Sequence, residues 1–245
     1  MDDTKEFAQS VKENIKNLGE SKRCREVTLE WLSEVLKYNY SHNFTWMGLP
    51  IIQAPQDIVA MQEILWEVKP DLVIETGVAR GGSIIFYASM MEMMGLDGHV
   101  LGIDIDIRAH NYRAIIQHPM YRRVTLLEGS SIDTGTVTKV HEFVKRAERV
   151  LVALDSNHTH DHVLAELKHY APMVTKGSYC VVFDSGVENL PDNPTCNDRP
   201  WGKGNNPKTA VHEYLKSDDS FAVAREIEDK LLITSCSDGY LKKIK

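Results

Sequence analysis

From Leu72 onward, short runs of aliphatic and β-branched residues alternate with stretches of helical spacing, and this alternation constrains the fold more than any other feature. The apolar runs fall at 72–76, 99–105, 124–128, 150–155 and 179–184, with helical patterns near 82–95, 109–118, 133–147 and 159–172. Val150-Leu151-Val152-Ala153-Leu154 is apolar without a break, as expected of a strand buried on both faces. Strands and helices in strict alternation are joined by right-handed crossovers, so the reading is a doubly wound, mostly parallel α/β sheet. Two further runs follow, 222–228 and 231–244, the second holding a Ser237-Asp238-Gly239 turn flanked by strand-like residues, and they are read as C-terminal antiparallel strands closing one sheet edge.

Ahead of this core, Phe7, Val11, Ile15 and Leu18, then Val27, Leu29, Leu32, Val35 and Leu36, recur at helical spacing around a break at Gly19-Glu20-Ser21. Two leading helices follow, which cover a sheet edge or a partner copy, or else wall a pocket. An aromatic-rich loop, 38–50, leads to a helix over 55–68 that stops at Lys69-Pro70. Residues 1–54 are therefore assigned to an N-terminal helical extension and 55–245 to the α/β domain. The stretch 185–207 is dense in Asn, Gly, Pro and Asp, and a loop this long inside a compact domain is usually functional or disordered.

Basic side chains number 28 against 35 acidic ones, a net charge of −7, which removes the general attraction used to hold nucleic acid or anionic lipid. The four cysteines, Cys24, Cys180, Cys196 and Cys236, are far apart and form no zinc spacing. The N-terminus is polar and acidic, and no apolar stretch approaches the roughly 18 residues of a membrane span. A cytoplasmic homo-oligomer with no nucleic-acid partner is expected.

The first strand runs through Glu75-Thr76-Gly77-Val78-Ala79-Arg80-Gly81-Gly82-Ser83 into a helix. Glycines permit close approach of a ligand, and the helix start offers free N–H groups to an anion or carboxylate. The spacing is not the G-x-G-x-x-G of dinucleotide folds, and Glu75 would repel a pyrophosphate. An acid there suits a cofactor with a cationic group, and S-adenosylmethionine has an amino-acid end and a sulfonium. Asp104, at the tip of the second strand, is placed to accept ribose hydroxyls, and Gly129-Ser130-Ser131 at the third strand end leaves room for adenine. At the fourth and fifth strand ends, Asp155 and Asp184 are hard oxygen ligands suited to Mg²⁺, with Ser185 beside them. His158 is positioned to take the proton of a metal-bound hydroxyl. The plainer alternatives are helix capping by the acids and a surface histidine group with His160 and His162.

The 75–83 run, the Asp155-x-x-His158 motif and the loop Arg199-Pro-Trp-Gly-Lys-Gly-Asn-Asn-Pro-Lys-Thr-Ala-Val211 resemble the cephalosporin hydroxylase and rhamnosyl O-methyltransferase family. The resemblance spans roughly residues 44–244 and implies a Rossmann-like methyltransferase fold. It implies an adenosylmethionine-dependent O-methyltransferase acting on a hydroxyl of a sugar or sugar-containing acceptor. Glu75, Gly77, Arg80, Ser83, Asp104, Gly129, Ser130, Ser131 and Asp155 would hold the cofactor. Asp155, Asp184 and Ser185 would hold Mg²⁺, with His158 and Asp155 as the catalytic pair. Where relatives often carry Glu-Asp at the fifth strand end, this chain has Phe183-Asp184, so one expected ligand is missing and Ser185, Glu188 or water would replace it. Loop 186–207 becomes a lid in which Arg199 pairs with an acceptor anion and Trp201 stacks on a sugar, or else Trp201 pins the loop on itself. Rival readings are an NAD-dependent oxidoreductase on the same sheet and a non-catalytic adenosylmethionine-binding protein.

Overall fold

The computed structural model describes residues 3–190 and 199–245, so residues 191–198 of the expected lid lie outside the described residues, as does Cys196. Two helices, α1 (Thr4–Glu20) and α2 (Lys22–Val35), lead into a small hairpin of β1 (Phe44–Trp46) and β2 (Leu49–Ile51). Then come α3 (Pro55–Val68), β3 (Leu72–Thr76), α4 (Gly82–Met93), β4 (His99–Asp104), α5 (Ala109–Ile116) and β5 (Val124–Glu128). The second half continues with α6 (Thr134–Val144), β6 (Val150–Leu154), α7 (His160–Tyr170), β7 (Tyr179–Val182) and α8 (Pro207–Ser217). It ends in β8 (Phe221–Val223), α9 (Arg225–Leu231) and β9 (Tyr240–Lys243).

Seven strands form one sheet in the order β5-β4-β3-β6-β7-β9-β8, parallel through β7 and antiparallel at β9 and β8. The fold is the doubly wound, Rossmann-like sheet read from the alternation. Met61, Leu65, Ile85 and Phe86 cover one face, and Val140, Leu164, Leu167, Val211 and Tyr214 cover the other. Local chemistry sets the helix ends: Pro55 occupies the first turn of α3, and Lys69 closes it in the left-handed region. Asn206 and Thr209 form a reciprocal capping box on α8.

Two local expectations are corrected. The strand over 222–228 stops at Val223, and Arg225–Leu231 is a helix because Ile227 and Leu231, four apart, turn one face to the core. Within 231–244 only Tyr240–Lys243 is strand, and it lies between β7 and β8. The 38–50 loop also contains the β1–β2 hairpin, whose two-residue turn, Met47-Gly48, has positive φ at both positions. Trp46 of that hairpin donates Nε1 to Ser89 on α4 at 2.8 Å and meets Phe86 edge-on. Among the described residues no helix is long and apolar enough to cross a membrane.

Candidate active site

The chain leaves the sheet centre at β3, builds β4 and β5 outward, then returns to add β6 and β7 on the other side. Ligands of α/β sheets bind at the carboxyl edge where this reversal occurs. There Gly77, at φ 90°, donates its N–H to Ile103 O at 2.7 Å. A Cβ at this position would lie 2.0 Å from the carbonyl oxygen of Asp155, so a side chain would force the ends of β3 and β6 apart. Asp104 organises the same turn: Oδ2 accepts from the N–H groups of Val78 and Ala79 at 2.8 and 3.0 Å, and Oδ1 from Asp106 at 3.1 Å.

Glu75 is fully buried. Ser83 Oγ donates to its Oε2 at 2.7 Å, and Oε1 has no partner. Burial drives its carboxyl up to about 8, with the Asp104 charge adding in the same direction against hydrogen bonding from Ser83. Thr76 Oγ1 beside it is also buried without a partner. A small cavity at the turn is lined by Gln53, Gly77, Arg80, Ser83 and Asp155. An acid buried with an unpartnered oxygen next to a glycine cradle and a helix start fits a ligand with a cationic group and a carboxylate, as S-adenosylmethionine has.

At the β5 end, Gly129 and Ser130 are half-buried, and Ser131 is buried with its Oγ 3.1 Å from His162 Nε2. Tyr170 donates to Ser131 O at 2.7 Å, and Ser156 donates to the buried Glu166 at 2.7 Å. This network fixes the loops after β5 and β6 against α7.

Asp155, His158 and Asp184 come together, with one ligand atom from each lying within 4.8 Å of the others. His158 Nε2 is 3.1 Å from Asp184 Oδ2. Burial holds the Asp155 carboxyl well above the usual carboxylate range, and the charges of Asp184 and Glu75 push the same way. Two hard oxygen donors under mutual repulsion fit a divalent cation such as Mg²⁺, for which an imidazole nitrogen is the poorer ligand. Ser185 is buried, and its hydroxyl turns to the carbonyls of Val182 and Ser235 at 3.4 Å. Glu188, the other stand-in for the missing acid, is committed elsewhere, accepting from Gly204 N–H at 2.8 Å and from the Asn206 amide. Phe183 is buried beside the pair.

The described part of the long loop bends toward the pair. Trp201 meets the His158 ring edge-on at 4.9 Å, and the exposed Arg199 lies over Trp201 at 5.0 Å. A second, mostly apolar cavity opens at Asp155 and Asp184. Its walls are Leu32, Val35 and Leu36 from α2 and its following turn, Phe183, Val187 and Leu190 after β7, and Ile233–Ser235 after α9. Gln53 and Ile52 line this cavity and the turn cavity alike. Of the two leading helices, α2 takes the pocket-wall role, whereas α1 packs against α9. Gln53 was missed because a lone glutamine between β2 and α3 carries no periodic signal.

Sheet order, glycine turn and strand-end acids define a Rossmann-like methyltransferase. The chain belongs to the rhamnosyl O-methyltransferase/CmcI family, whose model matches residues 38–244. The rhamnosyl O-methyltransferase of Mycobacterium tuberculosis (strain ATCC 25618 / H37Rv) is 32% identical over 199 residues, covering 80% of this chain and 77% of that one. The rhamnosyl O-methyltransferase of Mycobacterium leprae (strain TN) is 33% identical over 205 residues, covering 80% and 82%. The solved structure of CmcI in its D160 form with Mg and SAM shares the fold with a TM-score of 0.58 at 21% identity, over 83% of this chain and 78% of that one.

Proposed function

We propose that this O-methyltransferase moves the methyl group of S-adenosylmethionine to a hydroxyl oxygen of a sugar or sugar-bearing acceptor, with His158 as general base. The observation that carries this reading is the meeting, at one sheet edge, of the Glu75–Ser83 turn with the Asp155, His158 and Asp184 group. Family membership with rhamnosyl O-methyltransferases supports the sugar-type acceptor. When bound, the cofactor supplies an electrophilic methyl on a sulfonium and Mg²⁺ supplies a Lewis acid that makes a hydroxyl more acidic.

Glu75, Gly77, Arg80, Ser83 and Asp155 hold the amino-acid end of the cofactor in this proposal. Asp104 keeps lone pairs beyond its three backbone bonds for ribose hydroxyls, and Gly129, Ser130 and Ser131 flank adenine. Asp155 and Asp184 hold the cation. The acceptor lies in the apolar cavity with its hydroxyl toward His158; Nε2 of that ring holds Asp184 at 3.1 Å, which stabilises the imidazolium, and Nδ1 is the nitrogen left to take the hydroxyl proton. Trp201 closes over the His158 ring and excludes water from the proton transfer, and Arg199 stiffens Trp201. Much of the rate comes from alignment, since oxygen, carbon and sulfur must be nearly collinear.

Calorimetric titration with S-adenosylmethionine and with NAD, each with and without Mg²⁺, tests the cofactor. Binding of NAD in place of S-adenosylmethionine overturns the reading. His158→Ala is expected to cut turnover by about 100-fold or more while leaving cofactor affinity within about threefold. Lost affinity with intact single-turnover chemistry removes His158 as the base, and full activity in excess chelator removes the cation.

A further inference from the structure

Gln53 is 3% exposed, and its amide makes no close hydrogen bond at Oε1 or Nε2, although it faces the Asp155 carboxyl and the Tyr87 hydroxyl. Burying a primary amide with no close bond at either end is costly, so such a group points to a ligand that completes it. Its location is tightly fixed. A Cβ on Gly82 would lie 2.3 Å from the Pro50 carbonyl oxygen and 2.6 Å from Ile51 Cα, so the end of β2 is pressed against the start of α4. The next residues, Ile52 and Gln53, are thereby delivered to the partition between the turn cavity and the acceptor cavity.

On the turn side, some of the donors lining the cavity are spent, while Arg80 and the first N–H groups of α4 stay available to a carboxylate. Ser83 gives its hydroxyl to Glu75, and the N–H groups of Val78 and Ala79 go to Asp104. Gln53 Nε2 is a buried donor with no close bond, set beside the buried acceptor Oε1 and facing Asp155 and Tyr87. An amide offering a donor and an acceptor side by side is complementary to an α-amino acid, which offers an ammonium and a carboxylate side by side. Tyr87, whose buried hydroxyl makes no close bond and faces both Gln53 and Glu75, backs this corner.

We infer that Gln53 is a cofactor-binding residue whose side-chain amide takes the amino-acid end of S-adenosylmethionine, Oε1 accepting from the ammonium and Nε2 donating to the carboxylate. The inference rests on the cofactor proposed above and adds a residue to its site. It makes the partition itself part of the cofactor site, so that loading the cofactor also fixes the wall facing the acceptor.

The test is calorimetric titration of wild type, Gln53→Leu, Gln53→Met and Gln53→Glu with S-adenosylhomocysteine and with 5′-methylthioadenosine. The second probe keeps the adenosine and thioether but has no amino-acid end. Gln53→Leu and Gln53→Met are expected to weaken S-adenosylhomocysteine by about 10- to 100-fold while leaving 5′-methylthioadenosine within about twofold. Gln53→Glu, which sets an anion against the carboxylate, is expected to weaken it at least as much. Retained 5′-methylthioadenosine binding is the control that the turn is still folded. Unchanged S-adenosylhomocysteine affinity overturns the inference and assigns Gln53 to the acceptor. Equal loss of both probes also overturns it, because Gln53 would then only hold the turn together. If wild type binds neither probe, the cofactor reading itself falls, an outcome distinct from either of these.

Discussion

Glu75 has no solvent contact, and only one of its two oxygens is bonded, by Ser83. Its carboxyl rises from the usual 4.5 to about 8, so between those values the native state holds a proton that the unfolded chain has lost. Stability contributed by this group is fully present below pH 4.5 and is lost as pH rises through about 8. Glu75→Gln should flatten that fall, with a gain over wild type of up to about 5 kcal/mol at pH 9, measured by urea unfolding across pH. A cationic ligand reverses the preference. Binding S-adenosylmethionine at pH 7 should therefore release a proton from wild type and none through this group in Glu75→Gln, read by calorimetry in buffers of different ionisation enthalpy. Glu75, Gly77, Asp104, Asp155, His158 and Asp184 were legible as candidates for one sheet edge because each sits at or just past a strand end, where burial pattern gives way to polar residues. Gln53 was not, since only the packing of β2 on α4 brings it to the site. Glu188 was weighed as a ligand from its nearness in sequence, but the backbone it caps lies sixteen residues further on, at Gly204.

Between α9 and β9 the chain has little regular structure, yet it forms a wall of the acceptor cavity at Ile233–Ser235. Asp57 on α3 holds it there. Its carboxylate accepts from Tyr240 OH at 2.8 Å, from Ser235 N–H at 2.8 Å, from Ser235 Oγ at 2.9 Å and from Thr234 Oγ1. Burial raises the Asp57 carboxyl while these bonds pull it down. Asp57→Ala strands several buried donors at once and is expected to cost about 2–4 kcal/mol in urea unfolding, with proteolytic cleavage appearing within 232–239. Retained stability with no new cleavage would show that the segment is held by other contacts. Elements whose own sequence decides them were legible: α3 through its apolar spacing and its stop at Lys69-Pro70, β3 to β7 through apolar runs. The α9 segment was misread because Ala222–Val223 continues into Ile227 with strand-like composition, and the helical face of Ile227 and Leu231 spans under two turns. The β1–β2 hairpin was missed because Met47, which takes the left-handed turn position, has no preference for it.

At the scale of the molecule, the turn cavity and the apolar cavity are built from different parts of the chain that, among the described residues, meet at Gln53, Ile52 and Asp155. The turn cavity comes from β3, the start of α4 and the end of the hairpin, all packed in the sheet's own core. The acceptor cavity comes from α2, the 186–190 segment and the residues after α9, which lie outside the alternating core. This division explains what could be read in advance. The alternation defined the parallel sheet and hence the cofactor edge, whereas the acceptor wall depends on how an N-terminal helix and a C-terminal segment meet in space. Among the described residues the cavity walls carry no Lys or Arg, so they favour the apolar faces of an acceptor. The two sites should therefore be separable by mutation. Leu32→Ala with Leu36→Ala is expected to raise the acceptor KM by about 10-fold or more, from lost apolar contact, with S-adenosylhomocysteine affinity within about threefold of wild type. Asp104→Asn should do the reverse in kind, weakening S-adenosylhomocysteine by about 10-fold through the turn it organises while leaving the acceptor KM at saturating cofactor nearly unchanged. Initial-rate kinetics with both substrates varied, beside calorimetry on each variant, separates the two effects. If the α2 double variant instead loses cofactor affinity and acceptor KM together, the helix is a brace for the whole edge and the acceptor is bounded by the core alone.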